Sequence, residues 1–513
     1  MGIRWLSLAV AALSILGSAH AAPSREAQVA AIVARYANAP PQLRVLLQPM
    51  PKGGDLHNHL DGSVYAEDYL KWADADGDCI ARATRTITPP PCSADQVPAR
   101  DLVRRDPRFY QDTIDALSMR NYAPGLGTGE TSGHDHTFAT FPRFGAVAAA
   151  HLGDMLAATR ETAAADHVDY IEQIADPSQA FSPQLLDGWD FKPNDFAHNV
   201  AALEPRLPAL VAAARAEFDA AETRMRRYLN CGAAPADGMP GCTVHVHYLF
   251  FVLRTLPPKA VFAQIALGYA LAQADPRFVG VNLVAPEDDP VALRDYNWQM
   301  AQFLQFGNLH PGVKLSLHAG EVALGLVPPM DLGYHIRHAV DIAHARRIGH
   351  GYSIPYEQDA PSLLAEMAQK KIAVEINLTS NAITPGIVGA EHPLALYRAA
   401  GVPVTLSADD EGVFRIDLTH EYVRAVTEQH LGYPELKEIA RNGLEYSFLP
   451  GASLWQDGDY RKIVPACVQA ASAACTAFLA GSEKARLQQR LEAELIAFEN
   501  RTIAVAARWA RHP

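Results

Sequence analysis

The sequence has no hydrophobic run long enough to cross a bilayer and no excess of positive charge. The apolar run from Trp5 to Leu16 is far shorter than the ~20 residues of a spanning helix, and no comparable uncharged run follows. Lysine and arginine number 44 against 57 aspartate and glutamate, a formal net charge of -13. Nucleic-acid-binding proteins usually present a basic face, so the composition argues against that class and favours a neutral or cationic small-molecule substrate. Solubility alone would also explain the acidity.

The first residues have the pattern of a secretory signal peptide. Arg4 precedes the apolar run, and small residues from Gly17 to Ala22 follow it, which predicts a signal peptide over residues 1–21 with cleavage after Ala21. No cysteine follows the run, as a lipoprotein anchor would require, and an uncleaved membrane tether is the alternative. We expect an exported protein, periplasmic or secreted, that has no membrane contact once the signal is removed.

Cysteine is scarce, and all six cysteines fall into sequence-local couples. The couples are Cys79 with Cys92, Cys231 with Cys242, and Cys467 with Cys475. Local disulfides are the simplest interpretation for an exported chain, and no couple has the spacing of a zinc finger. A continuous helix over residues 467–475 would separate the third couple by ~12 Å, so that disulfide requires a turn between its cysteines.

Short β-branched segments alternate with longer helical segments, which predicts an α/β fold with a parallel sheet. The eight predicted strands are Gly54 to His59, Val168 to Ile174, Thr243 to Phe250, Val279 to Val284, Lys314 to His318, Arg347 to His350, Ala373 to Asn377, and Val402 to Ser407. Eight such units indicate a closed (β/α)8 TIM barrel, in which polar residues at the carboxyl ends of the strands perform the chemistry.

No linker rich in Ser, Gly or Pro divides residues 22–513, so we expect a single barrel domain. The extra length lies in insertions near residues 73–136 and 230–241 and in a helical extension from about residue 455. Helices are predicted over Arg25 to Leu47, Asp331 to Arg346, Pro361 to Lys370 and Ser482 to Arg508.

A His-x-His pair, His57 and His59, ends the first predicted strand. Residues two apart on a strand face the same side, so both imidazoles can reach one point. The pattern is weak alone, because two other segments repeat it. We interpret His245-Val246-His247 as a barrel-wall or inner-layer pair and His134-Asp135-His136 as part of a loop.

Ionisable residues also follow three later strands on the same predicted rim. They are His318 and Glu321, His350, and the pair Asp409 and Asp410. Zinc sites use three or four N or O ligands, which His57, His59, His318 and Asp409 can supply. Glu321 and His350 can then move or hold protons, and Asp410 can bind substrate. Singly, each residue could equally be a buried structural polar group.

The motifs MPKGGDLHNHLDGS from Met50, HAGE from His318, RIGHG from Arg347 and SADD from Ser407 resemble the adenosine deaminase family of the amidohydrolase superfamily. The nearest match is its secreted, growth-factor-related branch. The resemblance implies one Zn2+ per chain and hydrolytic deamination of adenosine, and of 2′-deoxyadenosine, to inosine and ammonia. The metal ligands it implies are His57, His59, His318 and Asp409.

The resemblance also assigns roles to individual residues. Glu321 would protonate purine N1, while His350 and Asp409 would hold the attacking water. Asp410 would contact purine N7, and Asp61 would accept a hydrogen bond from the ribose 5′-hydroxyl. The segment from His136 to Phe144 resembles the aromatic stretch that lines the family's pocket.

One departure concerns the purine pocket. The family usually has a glycine after the fourth strand whose amide meets purine N3, whereas this chain has Ala285 and then Pro286. Glu411 also stands where a proline often follows Asp410. Two alternatives stay open: another amidohydrolase that acts on a different aminopurine or a cyclic amide, and a non-catalytic secreted protein that binds adenosine or signals.

The same residues indicate which ligands the protein binds. A nucleoside is favoured over a nucleotide, because a phosphate would prefer Arg or Lys where Asp61 stands. A binuclear metal site would need a bridging carboxylate or lysine after the fourth strand, and residues 282–286 offer neither. The sequence leaves open whether the chain forms a homodimer.

Overall fold

The computed structural model describes residues 23–123, 130–233 and 237–511. The predicted signal peptide and part of the predicted insertion at 230–241 therefore lie outside the described residues. Among the described residues, no helix is both long and apolar enough to span a membrane.

Eight parallel strands form one sheet whose spatial order follows the chain. The strands are β1 (Gly53–His59), β5 (Val168–Ile174), β6 (His245–Leu253), β7 (Phe278–Val284), β8 (Lys314–Ala319), β9 (Arg347–His350), β10 (Ala373–Ile376) and β11 (Val404–Leu406). Each predicted strand is confirmed, with ends that differ by no more than three residues. The predicted (β/α)8 barrel is therefore confirmed.

The barrel closes between β1 and β11 through a single parallel bridge that pairs Asn58 with Asp409. The Asp409 amide donates to the His57 carbonyl at 3.0 Å, and the His59 amide donates to the Asp409 carbonyl at 3.2 Å. Three of the four predicted metal ligands, His57, His59 and Asp409, take part in this closure together with Asn58. The backbone contacts that close the sheet therefore also bring these predicted ligands together.

Helices surround the sheet. They are Arg25–Tyr36, Pro40–Leu47, Ala66–Asp76, Leu102–Arg105, Pro107–Ala116, Gly133–Ala150, Leu152–Ala165, Pro183–Leu186, Phe196–Leu203, Leu207–Tyr228, Pro258–Ala274, Pro290–Leu309, His335–Asp341, Ala360–Lys370, Leu378–Ile383, Leu394–Ala399, Glu411–Phe414, Leu418–Thr427, Tyr433–Glu445, Ala473–Ala480 and Glu483–Trp509.

Two predicted helices differ from those observed. The stretch Arg25 to Leu47 is two helices, because Pro40 has no N–H to donate and disfavours a helical residue before it. The stretch Asp331 to Arg346 contains only the short helix His335–Asp341, which follows a 3-10 turn over Pro329–Leu332. The predicted C-terminal helix is confirmed, and the hydroxyl of Ser482 caps it by accepting from the Ala485 amide at 3.0 Å.

The interpretation of His134-Asp135-His136 as a loop is wrong. These residues form the first turn of the helix Gly133–Ala150, and the Ser132 hydroxyl caps this turn by accepting from the Asp135 amide at 3.0 Å. A serine three residues before an acidic residue is a recognised signature of a helix N-terminus. The other pair, His245 and His247, lies in the barrel wall on β6, as predicted, and both rings contact Glu483 at 3.2 Å.

All three predicted disulfides are present. The first joins a small antiparallel sheet of β2 (Cys79–Ala81), β3 (Ile87–Thr88) and β4 (Gln96–Pro98) to the loop that holds Cys92. The third confirms the need for a turn: Cys467 ends a 3-10 turn, Cys475 lies in the next helix, and their Cα atoms are 4.4 Å apart.

The helix Tyr433–Glu445 approaches β1 so closely that glycine is required on both sides. A Cβ added to Gly443 would lie 2.5 Å from the Gly54 carbonyl oxygen, and one added to Gly54 would lie 2.8 Å from the Gly443 carbonyl oxygen. Real Cβ atoms do not approach backbone oxygen so closely, so any side chain here forces the helix off the strand.

We predict that Gly443→Ala lowers the free energy of unfolding by about 1–3 kcal/mol, the usual cost of overpacking. Denaturant titration would measure it. Gly312→Ala is the matched control, because a Cβ there meets no atom within 4 Å. Equal stability of the two variants would contradict this account of the contact.

Candidate metal centre and active site

The predicted metal ligands converge at the carboxyl rim of the barrel. The Nε2 atoms of His59 and His318 are 3.2 Å apart. Asp409 Oδ1 lies 3.5 Å from His57 Nε2 and 3.4 Å from His59 Nε2. All but His59 are buried, and His59 is 13% exposed along its side chain. One carboxylate oxygen and three imidazole nitrogens therefore surround a small space.

Two of the imidazoles are oriented by contacts to Nδ1, the ring nitrogen that faces away from the centre. His57 Nδ1 contacts Glu375 Oε2 at 2.8 Å, and His318 Nδ1 contacts Asn282 Oδ1 at 2.9 Å. Each partner is an acceptor, so each Nδ1 carries a proton and each Nε2 is directed at the centre.

Glu375 is held by a buried chain of charges inside the barrel. Ser316 donates to its Oε1 at 2.7 Å, and Arg347 bridges it to Glu172. Burial alone would raise the pKa of Glu375, but Arg347 and His57 lower it to about 2. Glu375 is therefore a carboxylate, which fixes the proton on His57 Nδ1.

Sequence reasoning missed Glu375, Asn282 and Arg347. A signal was present, because each is a charged or amide residue inside a segment that the sequence predicts as a buried strand. Such residues are rarely buried without a partner.

The donor atoms fit a cation. The ligand atoms of His57, His318, His350 and Asp409 all lie within 4.8 Å of one another, and those of His59, Asp409 and Asp410 form a second, overlapping group. The buried Nε2 of His57 has no hydrogen-bond partner among the described residues. Burial lowers the pKa of His59 to about 3 and holds that of His318 well below its usual value, so both imidazoles are neutral.

His350 belongs to the first of these groups, although the sequence predicts His59 as the fourth ligand. His59 nevertheless lies close to both His318 and Asp409, as given above. The ligand set His57, His59, His318 and Asp409 stays a prediction, and so do the roles of the other site residues.

Glu321 and His350 lie beside the cation group. His350 Nε2 is 3.5 Å from Glu321 Oε1 and 3.8 Å from Asp409 Oδ2. Burial raises the pKa of Glu321, which favours a protonated carboxyl. The turn that carries Glu321 is fixed by Glu287, which accepts from the Glu321 amide at 2.6 Å and from the Gly320 amide at 3.3 Å.

A cavity of about 530 Å³ opens beside these groups. The predicted site residues that line it are His59, Asp61, Ala285, His318, Glu321, His350, Asp409 and Asp410. Its size lies in the range of small-molecule sites. Among the described residues that line it, none is lysine or arginine, so the cavity offers no cationic partner for a phosphate.

The predicted aromatic stretch is confirmed only in part. Phe138 and Phe141 line the cavity, but Phe144 is buried in the core, where it stacks on Tyr69 with ring centroids 4.7 Å apart. His136 is also turned away, and its Nε2 contacts the Ser118 carbonyl at 3.0 Å.

Asp410 is packed against the loop after β1. A Cβ added to Gly62 would lie 1.8 Å from Asp410 Oδ1, which is buried and has no hydrogen-bond partner among the described residues. Burial and the neighbouring Asp409 raise the pKa of Asp410, which favours the protonated form of this carboxyl. Asp61 Oδ1 accepts from the Gly62 amide at 3.0 Å.

Ala285 lines the cavity with a backbone φ of 80°, in the left-handed region that favours glycine. A non-glycine residue there is strained by roughly 1–2 kcal/mol. The alanine therefore adopts a backbone conformation that suits glycine, and its methyl group adds bulk to the cavity wall.

Residues 228–454 match the family model described as Adenosine deaminase. The chain is 44% identical over 108 residues to an aminodeoxyfutalosine deaminase of Streptomyces coelicolor, which is 20% of this chain and 27% of the relative. It is 34% identical over 139 residues to an adenosine deaminase of Shewanella loihica, which is 27% of this chain and 39% of the relative. The matches thus span less than half the length of these curated relatives.

Among solved structures, the chain is similar to an amidohydrolase of Burkholderia ambifaria that was crystallised with bound zinc. The TM-score is 0.51 at 18% identity, and the match covers 89% of this chain and 95% of the other. At this identity, the likeness shows the fold alone.

We predict that Glu375→Gln weakens metal binding by about 10- to 100-fold, because an uncharged amide no longer fixes the His57 proton. Chelator competition on the zinc-loaded protein would measure this. The control is Glu366→Gln, which removes a partly exposed carboxylate paired with Lys370. Unchanged affinity in Glu375→Gln would show that Glu375 does not support the metal centre.

We also predict that Ala285→Gly raises the free energy of unfolding by up to about 1 kcal/mol, because the backbone strain is relieved. Ala213→Gly, in an exposed turn of the helix Leu207–Tyr228, should instead lower it by about 1 kcal/mol. Urea denaturation of both variants tests the contrast, and a loss of stability in both would show that φ at residue 285 is unstrained.

Proposed function

Because this chain belongs to the adenosine deaminase family of the amidohydrolase superfamily, we propose that it is a zinc-dependent hydrolase that converts adenosine, and 2′-deoxyadenosine, to the inosine product and ammonia. The observation that carries the proposal is one cavity in which residues able to bind a cation lie beside the carboxyl groups of Glu321 and Asp410, whose pKa values burial raises. Together these residues can activate water, donate a proton to a substrate and form a hydrogen bond to it.

His57, His59, His318 and Asp409 would hold the zinc. Three imidazoles with one carboxylate favour zinc over magnesium or calcium, which prefer oxygen ligands. When bound, zinc would act as a Lewis acid that lowers the pKa of water to about 7.

Glu321 and His350 can transfer protons to and from the groups around the reacting carbon. A protonated Glu321 can donate to purine N1, which makes C6 electrophilic and open to addition of water. His350 and Asp409 hold that water by hydrogen bonds, and His350 accepts the proton that the water loses when its oxygen adds to C6. Collapse of the adduct breaks the C6–N bond: the amino group takes the proton from His350 and leaves as ammonia. The proton of the new C6 hydroxyl returns to Glu321, which gives the 6-oxo product.

Asp410 and Asp61 orient the substrate. A carboxyl that keeps its proton can donate a hydrogen bond to an unprotonated ring nitrogen, so Asp410 suits purine N7. Asp61 can accept a hydrogen bond from a sugar hydroxyl. A cavity that has carboxyl groups and no described lysine or arginine supports a nucleoside over a nucleotide.

A second candidate is the same reaction on a different 6-aminopurine nucleoside, or another amidohydrolase reaction on a cyclic amide. The observation that favours it is Ala285, whose methyl group occupies the wall where the resemblance places a glycine amide against the purine.

We also propose that the protein is exported. Three disulfides support export, because disulfides persist in oxidising compartments.

The test is to incubate the zinc-loaded protein with adenosine and follow the ultraviolet change to inosine. Activity should disappear after chelation and return with zinc. Glu321→Gln should retain zinc but lose about 10²- to 10⁴-fold in kcat, the range for loss of a general acid, whereas Glu391→Gln on the surface should match the parent protein. No turnover of adenosine, 2′-deoxyadenosine or adenine would overturn the proposal.

A further inference from the structure

A buried carboxylate, Glu287, holds the backbone of the turn that carries Glu321. Its Oε2 accepts from the Glu321 amide at 2.6 Å, and its Oε1 accepts from the Gly320 amide at 3.3 Å. Two consecutive amides of the turn after β8 therefore bind the two oxygens of one side chain. We name this contact, from Glu287 to the amides of Gly320 and Glu321, the clamp.

Two further side chains hold Glu287. His335 Nδ1 lies 2.6 Å from Glu287 Oε1, and Arg254 Nη1 lies 3.3 Å from the same oxygen. Burial alone would raise the pKa of Glu287, but His335 and Arg254 bring it below its usual value. Glu287 is therefore a carboxylate, and both of its oxygens can accept hydrogen bonds.

Arg254 joins the two strands that precede the clamp. Its side chain is fully buried, and its Nη2 donates to the Leu283 carbonyl of β7 at 2.9 Å and to the His318 carbonyl of β8 at 3.1 Å. Glu287 follows β7 and Glu321 follows β8. The guanidinium thus fixes the ends of the strands from which both sides of the clamp begin.

His335 is itself held in place by an aromatic neighbour. Its ring stacks on Tyr296, with centroids 4.1 Å apart and planes 17° apart. The Tyr296 hydroxyl also donates to the His335 carbonyl at 2.7 Å. Because Glu287 is an acceptor, the fixed Nδ1 of His335 is the donor in their contact.

The position of Glu321 matters because of the role proposed for it. A group that transfers a proton must lie within hydrogen-bond distance of the reacting atom, and an error of 1 Å can reduce the rate by about 10²-fold. The amide that Glu287 binds belongs to Glu321 itself. A shift of that amide would therefore move the carboxyl relative to the substrate.

We propose that Glu287 and His335 are positioning residues for the proposed reaction, because the clamp holds the Glu321 carboxyl where it transfers a proton to the substrate. This inference rests on the proposed function, in which Glu321 is the proton donor. The described residues that line the cavity include Glu321 but neither Glu287 nor His335. Both residues should therefore affect kcat and leave KM nearly unchanged.

Two substitutions of His335 separate the hydrogen bond from the packing of the ring. Asparagine has an N–H close to the place of Nδ1, whereas leucine has no donor. His335→Leu should lower kcat about tenfold with KM within about twofold of the parent value, and His335→Asn should recover most of that loss. Both variants lose the ring that stacks on Tyr296, so equal losses of kcat would overturn the role of the hydrogen bond.

A double-mutant cycle tests whether Glu287 acts through Glu321. Glutamine has one acceptor oxygen, so Glu287→Gln leaves one of the two amides without its partner. Alone, it should lower kcat about 10- to 100-fold. In Glu321→Gln protein it should lower the residual activity by less than about twofold, because residues that act as a unit are not additive. Equal factors in both backgrounds would show that Glu287 only supports the fold.

Glu499→Gln is the matched control. Glu499 is also buried, and it accepts from the Tyr433 hydroxyl at 3.1 Å and from Lys437 Nζ at 2.7 Å, but it lies on the C-terminal helix. This variant should lose stability, as Glu287→Gln does, and keep the parent kcat. Thermal unfolding and zinc content, measured for every variant, would show that folded and loaded proteins are compared.

Hydrogen exchange of the peptide that contains Gly320 and Glu321 gives a readout without turnover. The exchange should be about tenfold faster in His335→Leu than in the parent protein and close to the parent rate in His335→Asn. If adenosine is deaminated but His335→Leu keeps the parent kcat and exchange rate, the clamp proposal is overturned. If adenosine is not deaminated yet exchange follows this order, the clamp stands and the assigned reaction falls.

Discussion

The first and last strands of this barrel meet through one backbone bridge, between Asn58 and Asp409, and the predicted metal ligands lie around it. The Asp409 amide and carbonyl pair with the backbone of His57 and His59, so the carboxylate and two imidazoles keep a fixed relative position. A φ of 58° at Asp409 directs the chain from the strand into this position. Ligand geometry therefore depends on how the sheet closes, and the packing at Gly54, Gly62 and Gly443 matters because it permits that closure.

Below the rim, the interior of the barrel carries charge where many barrels carry only aliphatic side chains. Glu172, Arg347 and Glu375 form a buried series that ends at His57 Nδ1. Each carboxylate has a cationic or hydrogen-bonding partner, which offsets the cost of removing it from water. The guanidinium of Arg347 also lies 3.8 Å from the Phe448 ring centroid, so an aromatic face shields the series from below. The orientation of His57, a predicted metal ligand, is thus set by residues outside the predicted ligand set.

The sequence predicted the eight strands and the rim residues because both depend on local pattern: runs of β-branched residues, and polar residues where those runs end. It did not predict Glu375 or Asn282 as partners of His57 and His318, because which interior side chains meet depends on strand neighbours across the barrel. The loop interpretation of residues 134–136 is wrong because the Ser132 hydroxyl accepts from the Asp135 amide and caps a helix that begins at Gly133. Phe138 and Phe141 reach the cavity while Phe144 does not. One turn of an α-helix takes 3.6 residues, so each three-residue step falls short of a full turn and rotates the next ring further from the cavity.

The three disulfides close loops of only 13, 11 and 8 residues, so none of them ties distant parts of the barrel together. The predicted ligands come from β1, β8 and the segment after β11, which are far apart in the chain. A cation held by all of them would be a long-range crosslink between the first and last strands of the sheet. A ligand that binds the folded state alone stabilises it in proportion to the logarithm of the ligand concentration, so a cation at this site would stabilise the closed barrel in a way that the three local disulfides do not.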